Sequence, residues 1–385
     1  MAEPKIVVVG TCDTKADEIN YIVNCLREAG ADPRVMDVSV LSDSEITPDY
    51  SRHDVAAAAG TDNAAIIALG DENLAMTKTA EGAANLARHL FDDGEMDGVL
   101  LLGGTMGTDL ALDVASALPI GVPKMVLSTV SFSPMIPVER IPADLMMGLW
   151  AGGLYGLNEM SKASLRHASG AVVGAARLAQ HDVKRKPVVA ISSFGTSALS
   201  YIVDLVPALE ARGFEAAVFH ATGMGGRALA SLAQKGELVA VMDFCLQEVG
   251  NLFHGSPVNS GADRLIAPGV PRLIGPAGLD MIDALVCEPL PAALNDHDFH
   301  QHNRLLTCAK TTPAQRSAAA RHVAAELAKS DAPTYFMLPL HGICGWDRED
   351  GPLYDPEAMA AMADAFRGAI QPPVELIELD CHIND

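Results

Sequence analysis

The chain has 385 residues, 49% hydrophobic and 20% charged, and its 27 basic and 49 acidic residues give a formal net charge of −22. This is a globular composition sized for two or three domains, not a disordered one. The acidic excess argues against nucleic-acid or membrane-surface partners, which need basic surface, but leaves a nucleotide open, since that needs only a few local donors.

Residues 5–9 hold an apolar run of only four residues, Ile6-Val-Val-Val9, too short for a signal peptide, and read as a buried strand. A helix is expected over 15–29 and strands at 35–40 and 66–70. A helix follows at 73–91, a strand at 98–102, a helix at 107–117 and a strand at 124–127. A long helix rich in Ala and Gly is expected over 153–178. The charged stretch 181–187, ending in Pro187, is the best linker in the chain. The alternation then restarts, with strands at 188–192, 216–219, 238–242, 272–274, 335–338 and 375–379. Helices are expected at 196–212, 224–234, 313–329 and 356–368. Thr312-Pro-Ala-Gln315 is a capping box with proline at the first helical position. Alternating strands and helices predict an α/β protein of two Rossmann-like, doubly wound parallel-sheet domains, 1–183 and 184–385. Ligands in such folds sit at the carboxyl ends of the strands, here in an inter-domain cleft.

The seven cysteines are scattered and include no C-x-x-C pair, which points to reduced thiols in a cytoplasmic protein. No apolar run approaches the roughly 18 residues of a membrane span.

Four loops after strands are rich in glycine and hydroxyls. The first, Gly10-Thr-Cys-Asp-Thr-Lys15, joins a strand to a helix. Gly10 lets backbone approach a ligand, the helix start offers N–H groups to an anion, and Lys15 adds charge. A plain helix cap explains it equally well. The second, Gly103-Gly-Thr-Met-Gly-Thr108, fits a phosphate cradle of amides and hydroxyls, or glycines needed for close packing. It is neither a Walker A nor a G-x-G-x-x-G sequence. The third, Phe219-His-Ala-Thr-Gly-Met-Gly-Gly-Arg227, puts His220, Ala221, Thr222, Gly223, Gly225, Gly226 and Arg227 at a helix start. Arg227 there suits a phosphate or carboxylate. The fourth, Ser192-Ser-Phe-Gly-Thr-Ser197, carries Phe194, which either stacks on a base or belongs to the core. Asp296-His-Asp-Phe-His-Gln-His302 is histidine-dense but matches no zinc spacing, and reads as a polar loop.

Taken together with Leu118-Pro-Ile-Gly-Val-Pro-Lys124 and the terminal His382-Ile-Asn-Asp385, these loops resemble the Tm-one-like ATP-binding domain family over essentially the whole chain. The sequence departs from that pattern at 130–134 and 244–247. The resemblance implies two Rossmann-like domains, ATP between them and a homodimeric or higher homo-oligomeric assembly. It places the nucleotide on Gly10, Thr11, Asp13, Thr14, Lys15, Gly103, Gly104, Thr105, Gly107, Thr108, Ser128, Thr129 and 220–227. Asp13 is then suited to Mg2+, a hard cation that prefers oxygen ligands. Glu248, His220 and Asp243 become candidates for acid–base work. The expected function is an ATP-dependent enzyme that activates a small metabolite by phosphoryl or nucleotidyl transfer. Two alternatives remain: an ATP-independent enzyme that cleaves or rearranges a keto acid, and a non-catalytic, nucleotide-dependent protein-binding module.

Overall fold

The computed structural model describes residues 3–44, 46–179, 186–195, 199–261, 264–265 and 269–385. Most of the expected linker (181–185) and the Thr196-Ser197 end of the fourth loop lie outside these residues. The chain divides into two compact units, Met1–Val183 and Lys184–Asp385.

In the first unit, β1 (Lys5–Gly10), β2 (Asp32–Asp37), β3 (Gly98–Gly103), β4 (Lys124–Ser128) and β5 (Met146–Leu149) form one sheet ordered β2-β1-β3-β4-β5. Every pairing is parallel. The helices are α1 (Ala16–Glu28), α2 (Arg52–Ala58), α3 (Asn63–Ile67), α4 (Glu72–Asp92), α5 (Thr105–Ala117) and α6 (Glu159–Leu178). Successive strand residues point to opposite faces. Ile6, Val8, Leu100 and Leu102 therefore pack under α1 and α6, while Val7, Val9, Val99 and Leu101 pack under α4 and α5. Burial on both faces explains why these strands read as unbroken apolar runs.

Two local expectations need correction. Residues 66–70 do not form a strand, because the Asp62 carboxylate accepts the Ala65 amide at 2.8 Å and caps the short helix α3 instead. The helix expected from 153 begins at Glu159, where Asn158 and Ser161 form a capping box.

In the second unit, β6 (Val188–Ser193), β7 (Glu215–His220), β8 (Ala240–Cys245), β9 (Arg272–Ala277), β13 (Thr334–Pro339) and β14 (Glu375–Leu379) form a parallel sheet ordered β14-β13-β9-β8-β6-β7. Between β9 and β13 the chain adds β10 (Met281–Leu285), β11 (Phe299–Gln301) and β12 (Leu306–Lys310), an antiparallel sheet ordered β10-β12-β11. The helices are α7 (Ile202–Glu210), α8 (Gly225–Gln234), α9 (Gln247–Phe253), α10 (Pro313–Leu327) and α11 (Pro356–Ala369). Ile274, Phe336 and Leu338 face α10 and α11, while Val189, Ile191 and Phe244 face α7. Helix α10 starts at its Thr312–Gln315 capping box, as expected.

The fold is thus two parallel-sheet α/β domains. In each sheet the strand order reverses beside the first strand: between β1 and β3 in one unit, and between β6 and β8 in the other. A crevice opens at such a switch point because the loops on either side leave in opposite directions.

Candidate functional site

At the switch point of the first unit, the loops after β1 and β3 converge on a cleft of about 350 Å3. Its walls include Thr11, Asp13, Thr14, Lys15, Gly103, Gly104, Thr105 and Gly107, together with Met76 and Tyr155. Two loops about ninety residues apart in sequence therefore meet, as the sequence predicts. Helix α5 opens into this cleft. Its N-cap, Gly104, makes no side-chain cap, so the first-turn N–H groups and the positive end of the helix dipole face outward. A Cβ on Gly104 would come no closer than 3.9 Å to any atom of Thr129. On Gly103 it would sit 2.4 Å from the Gly107 carbonyl carbon. Gly103 is thus a packing glycine, and Gly104 leaves open space.

The polar groups divide into those engaged within the fold and those at the cleft. The Thr108 hydroxyl bonds the Gly104 carbonyl at 2.7 Å and the Ser128 hydroxyl at 2.6 Å, and Ser128 also accepts the Val130 amide at 2.9 Å. These two hydroxyls brace the loop from beneath. The Thr129 amide donates to the Gly103 carbonyl at 3.2 Å. Gly10 is buried at the end of β1, and a Cβ there would meet Ile19 at 3.0 Å. The Thr11 and Thr14 hydroxyls bond each other at 2.8 Å. The Lys15 ammonium lies 5.1 Å from the centre of the Tyr155 ring, a cation–π contact that holds it at the rim. Asp13 accepts the Ser42 amide through Oδ2 at 3.1 Å, while its Oδ1 is buried with no hydrogen-bond partner among the described residues. Cys12 is fully buried, and burial together with the Asp37 carboxylate pushes its thiol far up. A thiolate there is disfavoured, despite the adjacent helix start.

The second unit treats its glycine loop differently. Glu248, at the start of α9, is fully buried and its Oε1 accepts the amides of Gly223 and, at 3.4 Å, Gly226. These are the N–H groups at the start of α8 that a phosphate would use. Glu248 Oε2 lies 3.3 Å from Arg264 Nε, an ion-pair distance without hydrogen-bond geometry. Arg264 Nη2 donates to Asp243 Oδ1 at 2.6 Å and to the Cys245 carbonyl at 2.7 Å. Glu248, Asp243 and Arg264 thus form one buried charge cluster, and the two carboxylates expected as acid–base groups are ion-paired inside the fold. Gly226 has to be glycine, since a Cβ there would lie 1.8 Å from Glu248 Oε2. Ala221 and Gly223 are buried, and a Cβ on Gly225 would lie 2.1 Å from the His220 carbonyl oxygen. His220 is exposed and pairs with the Thr222 hydroxyl at 2.8 Å, away from the charge cluster. Arg227 is half-buried. Phe194 packs among Leu199, Ala221 and Cys245 in the core, which favours its packing role over base stacking.

With this geometry in place, comparison with known proteins decides the family. Models of the N- and C-terminal domains of an uncharacterised protein family, UPF0261, match residues 4–181 and 186–385. The chain belongs to the UPF0261 family. A UPF0261 protein of Brucella suis biovar 1 is 48% identical over 99% of this chain and 92% of its own length. One from Clostridium tetani is 28% identical, with 99% and 95% covered. The tomato (Solanum lycopersicum) ToMV resistance protein Tm-1 is 26% identical over 99% of this chain and 54% of its own. Among solved structures, a UDP-GlcNAc 2-epimerase from Neisseria meningitidis bound to UDP-GlcNAc aligns with 11% identity and a TM-score of 0.25, covering 70% of this chain and 82% of the other. So weak a superposition has no bearing on function. The tomato relative bears out the likeness to Tm-1 seen in the sequence, while the family match does not extend to ATP binding.

The keto-acid alternative puts Glu248 and Arg264 with His220 in a polar cleft; the fold instead buries both with Asp243 as one charge cluster. Another group escapes the sequence. Asp347 is buried beside Arg316, with Oδ2 3.6 Å from Arg316 Nη1. Burial and the neighbouring Asp280 push Asp347 up to about 7. No local pattern around residue 347 marks it. The histidines of the 296–302 stretch are placed without a metal role: His297 bonds Gln315 at 3.0 Å, and His300 and His302 pack on the Trp346 ring. Among the described residues, no helix is long and apolar enough to cross a membrane.

Proposed function

We propose that the switch-point cleft of the N-terminal unit binds the phosphates of a nucleotide, ATP being the first candidate, and that the protein is an enzyme using this nucleotide to activate a small metabolite. The observation that carries the reading is the meeting of the Gly10–Lys15 and Gly103–Thr108 loops over the uncapped N-terminus of α5. An anion placed there receives backbone N–H groups and the helix dipole at no reorganisation cost. Gly104 gives it room, and Lys15 adds a mobile positive charge. Glu248 fills the equivalent donors at α8, so the phosphate site is assigned to the first unit alone.

Magnesium fits this site as a companion of phosphate rather than as a resident ion. No group of three or more His, Cys, Asp or Glu side chains among the described residues is arranged to hold a metal. Asp13, with one carboxylate oxygen unpartnered, supplies a single hard ligand, and phosphate oxygens and water would complete an octahedron. The bound ion would neutralise phosphate charge; Asp13 would orient it, and Lys15 and the α5 amides would hold the phosphates.

Calorimetric titration of the full chain with ATP, ADP and AMP, with and without magnesium, tests the reading. A ligand specific for the folded state adds about 2.7 kcal/mol of stability at 100 times Kd, so thermal unfolding reads the same event. Affinity rising from AMP to ATP is expected. No heat and no thermal shift with any of them at millimolar concentration sinks the proposal.

A further inference from the structure

A second and larger cavity, of about 770 Å3, lies wholly within the C-terminal unit. It opens beyond the carboxyl ends of β13 and β14, where parallel sheets place their binding loops. Leu340, Met359, Ala360 and Ala363 give it an apolar wall, and Arg348, Tyr354 and His382 give it a polar one. Its size falls in the usual range for metabolite pockets, which combine such walls with a few convergent polar groups.

The chain 382–385 folds back over this cavity. Ile383 donates its amide to the Gly342 carbonyl at 3.0 Å, and Asn384 Oδ1 accepts the Ser200 amide at 2.8 Å. The His382 ring is fixed by three contacts, one of them the Asn384 amide donating to Nδ1 at 3.1 Å. Its Nε2 lies 3.0 Å from the Cys344 carbonyl and is therefore protonated, and its Nδ1 accepts from Arg348 Nη2 at 3.1 Å. Burial and Arg348 push this imidazole down, so it is neutral at physiological pH. The space for the ring exists because residue 342 is glycine with φ of 122°: a Cβ there would lie 2.6 Å from His382 Cδ2. Three carboxylates share this lining: Asp347, partly protonated near neutrality, Glu349, and Asp355, which caps α11 through the Ala358 amide at 2.9 Å and lies 3.9 Å from Lys310.

Arg348 is the informative residue. The same Nη2 that bonds His382 lies 3.0 Å from the Asp385 carboxylate. A guanidinium has five N–H donors, and both contacts engage one nitrogen. The Arg348–Asp385 pair is about half exposed on each side and so contributes little, while the other Asp385 oxygen accepts the His382 amide at 3.1 Å. Arg367, the other arginine on the lining, is held by Glu378 and Asp364. Arg348, on the lining of the cavity, thus already holds one carboxylate.

We propose that this cavity is a second ligand site, which takes a small monocarboxylate with an apolar body, its carboxylate replacing that of Asp385 on Arg348. The body lies along Met359, Ala360 and Ala363. The site is independent of the nucleotide reading.

Ligand-detected NMR titration of the full chain with hexanoate tests it, with 1-hexanol and hexylamine as uncharged and cationic controls. Hexanoate is expected to bind in the millimolar range and hexylamine not to bind. Arg348→Gln should weaken hexanoate at least fivefold and leave hexanol unchanged. Asp385→Asn should strengthen hexanoate about two- to threefold, because the internal competitor is gone; a purely structural role for Asp385 predicts the opposite sign. Ala360→Trp, at an exposed wall position, should abolish both hexanoate and hexanol binding. Thermal unfolding of each variant confirms that it folds. The proposal is overturned if wild type fails to bind hexanoate at tens of millimolar, or if the Arg348 and Asp385 variants bind it as wild type does.

Discussion

Two glycine loops that open helices after parallel strands have opposite fates. At the start of α5, Gly104 leaves the helix N-terminus uncapped and facing a cleft. At the start of α8, the corresponding amides are taken by Glu248 from the start of α9. Both loops offer donors, and an anion satisfies them in either case; one is external and the other is built into the chain. Glycine content therefore marks a place where backbone donors are exposed to a close neighbour, without saying whether that neighbour is ligand or protein. The difference lies in a carboxylate some twenty residues downstream and in the buried Arg264 that holds it.

The largest effect should come from emptying the filled loop. Glu248→Ala leaves Arg264 buried with one carboxylate partner instead of two and exposes the α8 donors to an empty space. Breaking a buried ion pair on one side typically costs about 3–5 kcal/mol. Chemical denaturation should show a loss of this order, with Gly226→Ala nearly as damaging because its Cβ would overlap Glu248. If Glu248→Ala instead keeps its stability and gains phosphate affinity, the α8 loop is a ligand site that the carboxylate merely covers, and the contrast between the loops collapses.

The open loop should give the converse signature. Gly104→Asp has room for its side chain and supplies the side-chain N-cap that α5 lacks, which over glycine is worth only about a few tenths of a kcal/mol. The variant should be as stable as wild type or slightly more so, while nucleotide affinity falls at least tenfold through charge repulsion at the phosphates. Loss of both stability and binding would mean that Gly104 is there for packing, as Gly103 is.

How far the sequence foretold this depends on the range of the interactions. Strands buried on both faces are unbroken apolar runs, so β1, β3, β4 and β6 are readable from composition alone. Helix starts with local caps, such as Thr312–Gln315, are readable too. The short strand expected at 66–70 failed because a cap at Asp62 outweighed an ambiguous run of five residues. The antiparallel strands β10 to β12 were missed because they are three to five residues long and carry Asp283, His300 and Thr307, which break any apolar signal. The same logic applies to the sites. The glycine loops after β1 and β3 are each contiguous in sequence and are readable there as loops. Glu248 was found, but its meaning depends on Arg264, on a separate loop, and so could not be read. The C-terminal cavity joins residues 340–367 with 382; His341 after its strand and a docked His382 are legible in the sequence, but not that they meet.

A smaller and pH-dependent effect sharpens the contrast between buried carboxylates. Glu248 has Arg264 and two amides; Asp347 has Arg316 at 3.6 Å but also Asp280 nearby. In the folded chain Asp347 titrates at about 7, mainly through burial and then through Asp280, against 3.8 for an unperturbed aspartate. Between those values the folded state holds a proton that the unfolded chain has released. Stability contributed by this group is therefore fully present below about pH 4 and falls as pH rises towards 7. Asp347→Asn mimics the protonated form at every pH. The difference in unfolding free energy between wild type and variant, measured from pH 5 to 8, should move in favour of the variant as pH increases. A flat difference would mean that Arg316 keeps Asp347 ionised throughout, and that this carboxylate, like Glu248, is fully compensated by its arginine.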